Sequence, residues 1–325
     1  PDESRGKTVR LKGIAGLSED VRYYARIIRD RAWASLAQYY PLGEHGEEFL
    51  AWRWAWSVPS PNPAVGGALT PLVTDWTLSR SKRQKAWVAP TIDGYKVRYT
   101  IGSTGDSSDP TAGGNSARCL FTNDPIPFTY IREQGKAGHL RPQMFGIIGE
   151  RNGHRVFIPP TEEQIVPALD VRGFDLPDVA LPEKALGFRV QAYGVNRFSD
   201  LFLPRQARSL AVFSDLVRRV HDDILLDAKR AGLDAVPTPL EDGGRGARAY
   251  ADAVSAVLGL CIGRLAASNN VLVQWFIDPR SGTGKATPAF RMQTVSMVWD
   301  FVETNPFAHS VGGWCGPVVE SALNA

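Results

Sequence analysis

The sequence predicts an α+β fold, with an N-terminal helix, a β-rich ribbon-like middle and a helical C-terminal part containing a few strands. Two observations carry this. Long amphipathic patterns stand near both ends, and the stretch between them is dense in glycine, proline and aromatic residues with short alternating runs. A third is the strand-like "VLVQWFI" that follows the last long helical pattern.

Taken in order, residues 18–40 ("SEDVRYYARIIRDRAWASLAQYY") read as an amphipathic helix. Ser18 can cap it, Glu19 and Asp20 suit the positive end of its dipole, and Val21, Tyr24, Ile28 and Leu36 fall near one face. Pro41 and Gly43 stop it. Residues 44–160 hold runs such as "AWVAPTIDGYKVRYTIG", typical of strands joined by turns, and "GSTGDSSDPTAGGNSA" (102–117) is a loop by composition. Residues 161–200 are proline-punctuated and read as an extended connector. Within 201–325, Leu210, Phe213, Val217, Val220 and Ile224 form one helical stripe, with Pro204 near its start and Gly232 past its end. Tyr250, Val254, Val257, Leu258, Cys261 and Leu265 form another. The expected divisions are thus 1–43, 44–160, 161–200 and 201–325.

The 325 residues are 43% hydrophobic and 22% charged, ordinary for a globular chain large enough to bury a sizeable core. No apolar run approaches bilayer length, so no membrane partner is expected. The chain begins "PDESRGKTVRLKG" and its first methionine is Met144, which suggests a region cut from a longer protein. Net charge is only +3, so bulk electrostatics demands no nucleic acid. Cys119, Cys261 and Cys315 are far apart, which fits a reducing cytoplasm rather than a disulfide framework. The five histidines show no ligand spacing, and no metal site is expected.

Catalytic motifs are absent: there is no Gly-x-Ser-x-Gly, no His-Glu-x-x-His and no paired carboxylates. "DPRSGTGK" (278–285) resembles a phosphate or cofactor loop, but Pro279 and Ala286 break the first pattern and Arg280 and Pro288 the second, and a surface turn is the expectation. "VETNPF" (302–307) falls one proline short of the Asp/Asn/Ser-Pro-Pro-aromatic tetrapeptide of amino-methylating enzymes. The preceding "TVSMVWDF" (294–301) reads as a strand, and Asn305-Pro306 as the turn that ends it. No catalytic residue is assigned.

Two basic clusters suit phosphate contacts. "SRSKRQKAW" supplies Lys82, Arg83 and Lys85 beside Trp87, and "IREQGKAGHLR" supplies Arg132, Lys136 and Arg141 around two glycines. Arg205 and Gln206 could reach base edges if the helix they begin entered a groove.

Several phrases in order, among them "YIREQGKAG", "DLFLPRQ" and "WDFVETNPF", give the chain a wider likeness. It resembles the central region of a family of large prokaryotic proteins described as adenine-specific DNA methyltransferases with a zinc-ribbon-like insert, some linked to anti-phage defence. The resemblance implies an S-adenosylmethionine loop before this region and an Asp-Pro-Pro-Tyr motif after it. This chain then holds no cofactor itself; its partners would be duplex DNA, the flanking methyltransferase halves and other defence proteins. Family zinc positions fall on Ser60, Val65, Cys119 and Thr122, so 44–160 would be a zinc-ribbon-like region without its ligands. An alternative is a protein-interaction scaffold, suggested by Trp52, Trp54 and Trp56 and by the lost zinc ligands.

Overall fold

A computed structural model describes residues 13–114, 116–172, 176–183, 185–290, 294–309 and 312–324. The first twelve residues of the expected N-terminal segment therefore lie outside the described set, as do position 115 of the 102–117 loop and positions 173–175 and 184 of the expected connector.

The elements run α1 (Gly13–Leu36), β1 (Glu48–Pro59), β2 (Leu69–Pro71), β3 (Thr77–Ser81), β4 (Gln84–Asp93) and β5 (Lys96–Gly102). Then come β6 (Ala112–Gly113), β7 (Ser116–Arg118), β8 (Pro125–Pro127), α2 (Phe128–Lys136), β9 (Arg141–Arg151), β10 (His154–Ile158) and α3 (Glu162–Leu169). The chain closes with α4 (Pro204–Arg230), α5 (Ala247–Ser268), β11 (Gln274–Ile277), β12 (Gly284–Thr287), β13 (Asp300–Thr304) and α6 (Val319–Leu323). The α+β class is as the sequence predicts.

The organising strand is β1, "EFLAWRWAWSVP", at the centre of an antiparallel sheet ordered β10-β9-β1-β13. It is covered on both faces, so it reads as a nearly continuous apolar run rather than an alternation. Trp52 and Trp54 face a helical layer with Val21, Ile28, Phe213, Val217 and Leu258. Ala55 and Phe145 face the small sheet β3-β4-β5 through Leu78, Val88 and Trp76. Sheet and helices are thus stacked in three layers, with a satellite of β6–β8 and α2 around Cys119 and Ile131.

Both long C-terminal helices form as their stripes require. Phe213, Val217, Val220 and Ile224 of α4 are buried, Pro204 sits in the first turn, and Gly232 follows the helix with φ +87°. In α5, Val254, Leu258, Cys261 and Leu265 are buried. Contrary to the sequence expectation, α5 is long and apolar enough to cross a membrane by composition; here one face of it packs into the core.

Two other expectations are corrected. Ser18 does not cap α1, which already runs from Gly13. The connector 161–200 is not uniformly extended, because α3 forms within it despite Pro167. Tertiary contact outweighs the local penalty: buried Gln164 donates to Pro41 O (3.2 Å) and accepts from Trp52 Nε1 (3.0 Å).

Candidate nucleic-acid interface

Lys82 and Arg83 form the tip of the β3–β4 hairpin, between the paired residues Ser81 and Gln84, and both are exposed. Ser79 and Ser81 hold the tip by accepting bonds from the Ser81 and Arg83 amides (3.2 and 3.4 Å). Among the described residues neither cation has a carboxylate partner. Arg80, at the strand end, pairs with Asp75 (3.1 Å). Lys85 is partly committed: its Nζ donates to Gly105 O (3.1 Å) and lies 5.4 Å from the Trp87 ring centre.

A second turn docks on this one. The Asp278–Thr283 turn between β11 and β12 is closed by Asp278 Oδ1, which accepts from the amides of Arg280 and Ser281 (both 3.0 Å). Those donors hold the Asp278 carboxyl below the usual carboxylate range, with Lys285 adding to the effect. Gly282 O then accepts from Arg80 N at 2.7 Å, and Trp275 Nε1 donates to Leu78 O at 3.0 Å. Gly282 has φ +68°, and a Cβ there would lie 2.6 Å from the Arg80 carbonyl carbon, so only glycine fits the contact. "DPRSGTGK" is thus a hairpin turn leading into a strand, and the next element after it among the described residues is another strand rather than the helix that such a loop motif precedes. Its consequence is to place exposed Arg280, and Lys285 paired to Asp278 (3.4 Å), beside Lys82 and Arg83. Sequence reasoning missed this pairing, since nothing local marks which turn Gly282 will meet.

The other cluster lies at the opposite end of the central sheet. Gln84 bonds Arg155 O (2.6 Å), and Arg155 sits across from Glu150, which faces Glu48 on β1. Arg141 instead pairs with Ser57. At about 3.3 Å per residue, those positions on β1 are roughly 30 Å apart. Arg132 and Lys136 are exposed on α2, Arg132 over the Tyr193 ring at 5.6 Å. Arg141 is spent on the chain itself, donating to Gly138 O (2.5 Å) and Leu140 O (2.9 Å).

Arg205 and Gln206 do not reach a surface. Arg205 is fully buried, forks onto Glu303 with two bonds of 2.8 Å, donates to Tyr39 O, and lies 4.1 Å from the Trp52 ring centre. Gln206 closes its own helix start by accepting from Leu203 N (2.9 Å) and donates to Asn269. Base-edge contact by this pair is excluded, because leaving Glu303 unpaired in the core would be costly. Trp52 and Trp54 are likewise buried, and Trp54 Nε1 donates to Glu303 Oε2 (2.9 Å), so they offer no patch to a partner.

"NPF" is a structural turn. Asn305 Nδ2 donates to Phe49 O (2.7 Å), its Oδ1 accepts from Phe307 N (2.9 Å), and Pro306 O accepts from Trp314 N (2.7 Å), so both groups that would face a base are engaged inside the fold. The expected strand before it is shorter than read, confined to Asp300–Thr304.

Three of the four positions that the resemblance equates with zinc ligands do meet. Cys119 Sγ lies 3.2 Å from Ser60 Oγ, receives Thr70 Oγ1 at 3.5 Å, and is bonded by Thr122. Burial pushes the thiol up, but the hydroxyls of Ser60, Thr122 and Thr70 outweigh it and bring it to about 7. One thiol, hydroxyls and Val65 do not make a four-coordinate zinc site; hydrogen bonds tie the two turns instead.

No family model matches the chain, and no curated protein or solved structure matches it either.

Proposed function

We propose that this chain is a duplex-DNA-contacting region whose principal contact is the corner made by the two docked turns. What supports this reading is that Lys82, Arg83 and Arg280 stand exposed at adjoining tips, without a carboxylate partner among the described residues and fixed there by the Gly282 contact. Cations without carboxylate partners give up little when they neutralise phosphate, and release of counterions favours binding. Arg132 and Lys136 form a second point roughly 30 Å away along β1, close to the length of one duplex turn of about 34 Å. Lys85 and Arg141, already bonded to carbonyls, contribute less.

The contacts position the duplex and carry no sequence information. In the longer protein that the resemblance implies, chemistry belongs to flanking halves that bind S-adenosylmethionine and methylate adenine, in an anti-phage setting. This region would hold the duplex for them. Anisotropy of a labelled duplex titrated with the chain at several salt concentrations tests the reading. Log affinity should fall with log salt by about 0.9 per phosphate contacted, giving a slope of roughly −3 or steeper. Weak binding with a flat slope would sink it.

A further inference from the structure

We propose that the loop from Pro41 to Phe49 builds a binding pocket for an organic cation, an alkylammonium or guanidinium group. Two cavities, of about 390 and 630 Å³, lie on either side of this loop and share Pro41, Leu42, Glu47 and Phe49. Both fall in the size range of small-molecule sites. The buried post between them is Glu47, only 4% exposed. The loop is wound around it: Gly43 N donates to Glu47 O (3.2 Å), Gly46 N to Gly43 O (3.1 Å), and His45 N to the carboxylate itself (2.9 Å). Its own amide and that of His45 hold this carboxyl below the usual range, so the anion is fixed before any ligand arrives.

The smaller cavity has the composition a cation needs. Asp30, Glu47 and Glu48 line it against one arginine, Arg29, a net charge of 1 − 3 = −2 with His309 neutral. This excess runs against the whole chain, which carries +3. Arg29 is held by Asp30 (2.8 Å), and Glu47 by Arg151 (3.2 Å) from the other cavity. Glu48 is the available anion: among the described residues its carboxylate meets only the Nε2 and amide of exposed His309, both at 3.2 Å. The remaining wall is aromatic. Trp33, 38% exposed, meets the Phe307 ring edge-to-face at 5.0 Å, and Phe307 meets Tyr40 in the same way at 5.3 Å. The Asn305 turn that mimics a catalytic motif serves here to place Phe307. Carboxylate beside aromatic faces selects a soft organic cation; a small, strongly hydrated metal ion would find too few oxygens.

Calorimetry of the chain with three probes tests this: agmatine, N-acetylarginine methylamide, and its uncharged citrulline counterpart. The cationic probes should bind, and the citrulline compound should bind roughly tenfold more weakly or not at all, having lost its charge-assisted bonds. Tighter binding of agmatine would identify a free amine as the ligand type, and tighter binding of the arginine amide a peptide side chain; either supports the site. Glu48→Gln, which keeps shape, and Trp33→Phe, which keeps a ring, should each weaken binding severalfold. Equal binding of arginine and citrulline compounds, no binding of either cation at millimolar concentration, or affinity untouched by both substitutions would overturn the proposal.

Discussion

Arg205 and Arg83 carry the same group into opposite surroundings. Arg205 is sealed between Trp52 and Tyr40 with both prongs on Glu303, while Arg83 stands in solvent at a hairpin tip. The interior also holds Arg53, paired with Asp300 at 2.6 Å, whose other oxygen accepts from Thr74. In both cases a β13 carboxylate neutralises the charge and carbonyls of facing segments take further N–H groups, although Arg53 Nε finds no partner among the described residues. At the corner no carboxylate among the described residues pairs with Lys82, Arg83 or Arg280. A basic residue's role is therefore decided by whether the fold brings an acid to it, and the acid can lie far away in sequence.

The sharpest way to break the comparison is to remove the acid. Glu303→Ala should cost about 3–5 kcal/mol, because it strands a buried guanidinium. Urea unfolding would show it as a lowered midpoint. Adding Arg205→Met should recover part of the loss, since the stranded charge and not the missing bond dominates the cost.

Gly282→Ala comes next. Its left-handed backbone and the close Arg80 carbonyl predict about 1–2 kcal/mol from φ alone, with the clash adding to it. The change should also weaken duplex binding without removing any charge, because it undocks the turn that carries Arg280. Anisotropy at one fixed salt concentration suffices to see it.

A smaller effect is expected at Cys119, whose thiol is surrounded by hydroxyls. Its folded-state value, about 7, lies below the ordinary 9.0. A depressed acid stabilises the fold above its unfolded value, and that contribution is lost as pH falls through the folded one. Relative to Cys119→Ser, the wild-type chain should gain stability as pH rises from 7 to 9. Parallel urea curves with a constant gap would contradict this. Thiolate absorbance should rise over the same window.

How much could be read beforehand follows the same division between local and distant. The α4 and α5 stripes, Pro204 and Gly232 are local signals and the helices form on them. The Lys82-Arg83 tip was legible for the same reason. Helix α3 was not, because Pro167 argues against it locally and the contacts of Gln164 with Trp52 and Pro41 decide it. Arg205 was misread because Glu303, 98 positions later, is invisible from "LPRQ". Arg280 was overlooked because the Gly282 contact joins turns about 200 positions apart in the chain. Trp52 and Trp54 look like part of a surface patch until both faces of β1 are seen to be covered there, while Trp56 at the strand's far end is half-buried.

The least disruptive substitutions bear on the central claim. Lys82→Ala, Arg83→Ala and Arg280→Ala should each change stability by less than about 0.5 kcal/mol, as exposed, unpaired residues do. The decisive measurement is the salt dependence of duplex binding for the triple variant K82A/R83A/R280A beside the wild-type chain. Contact at the corner predicts a slope shallower by about 3, roughly one per lost phosphate contact, with the same urea midpoint. An unchanged slope in a fully folded triple variant would contradict it.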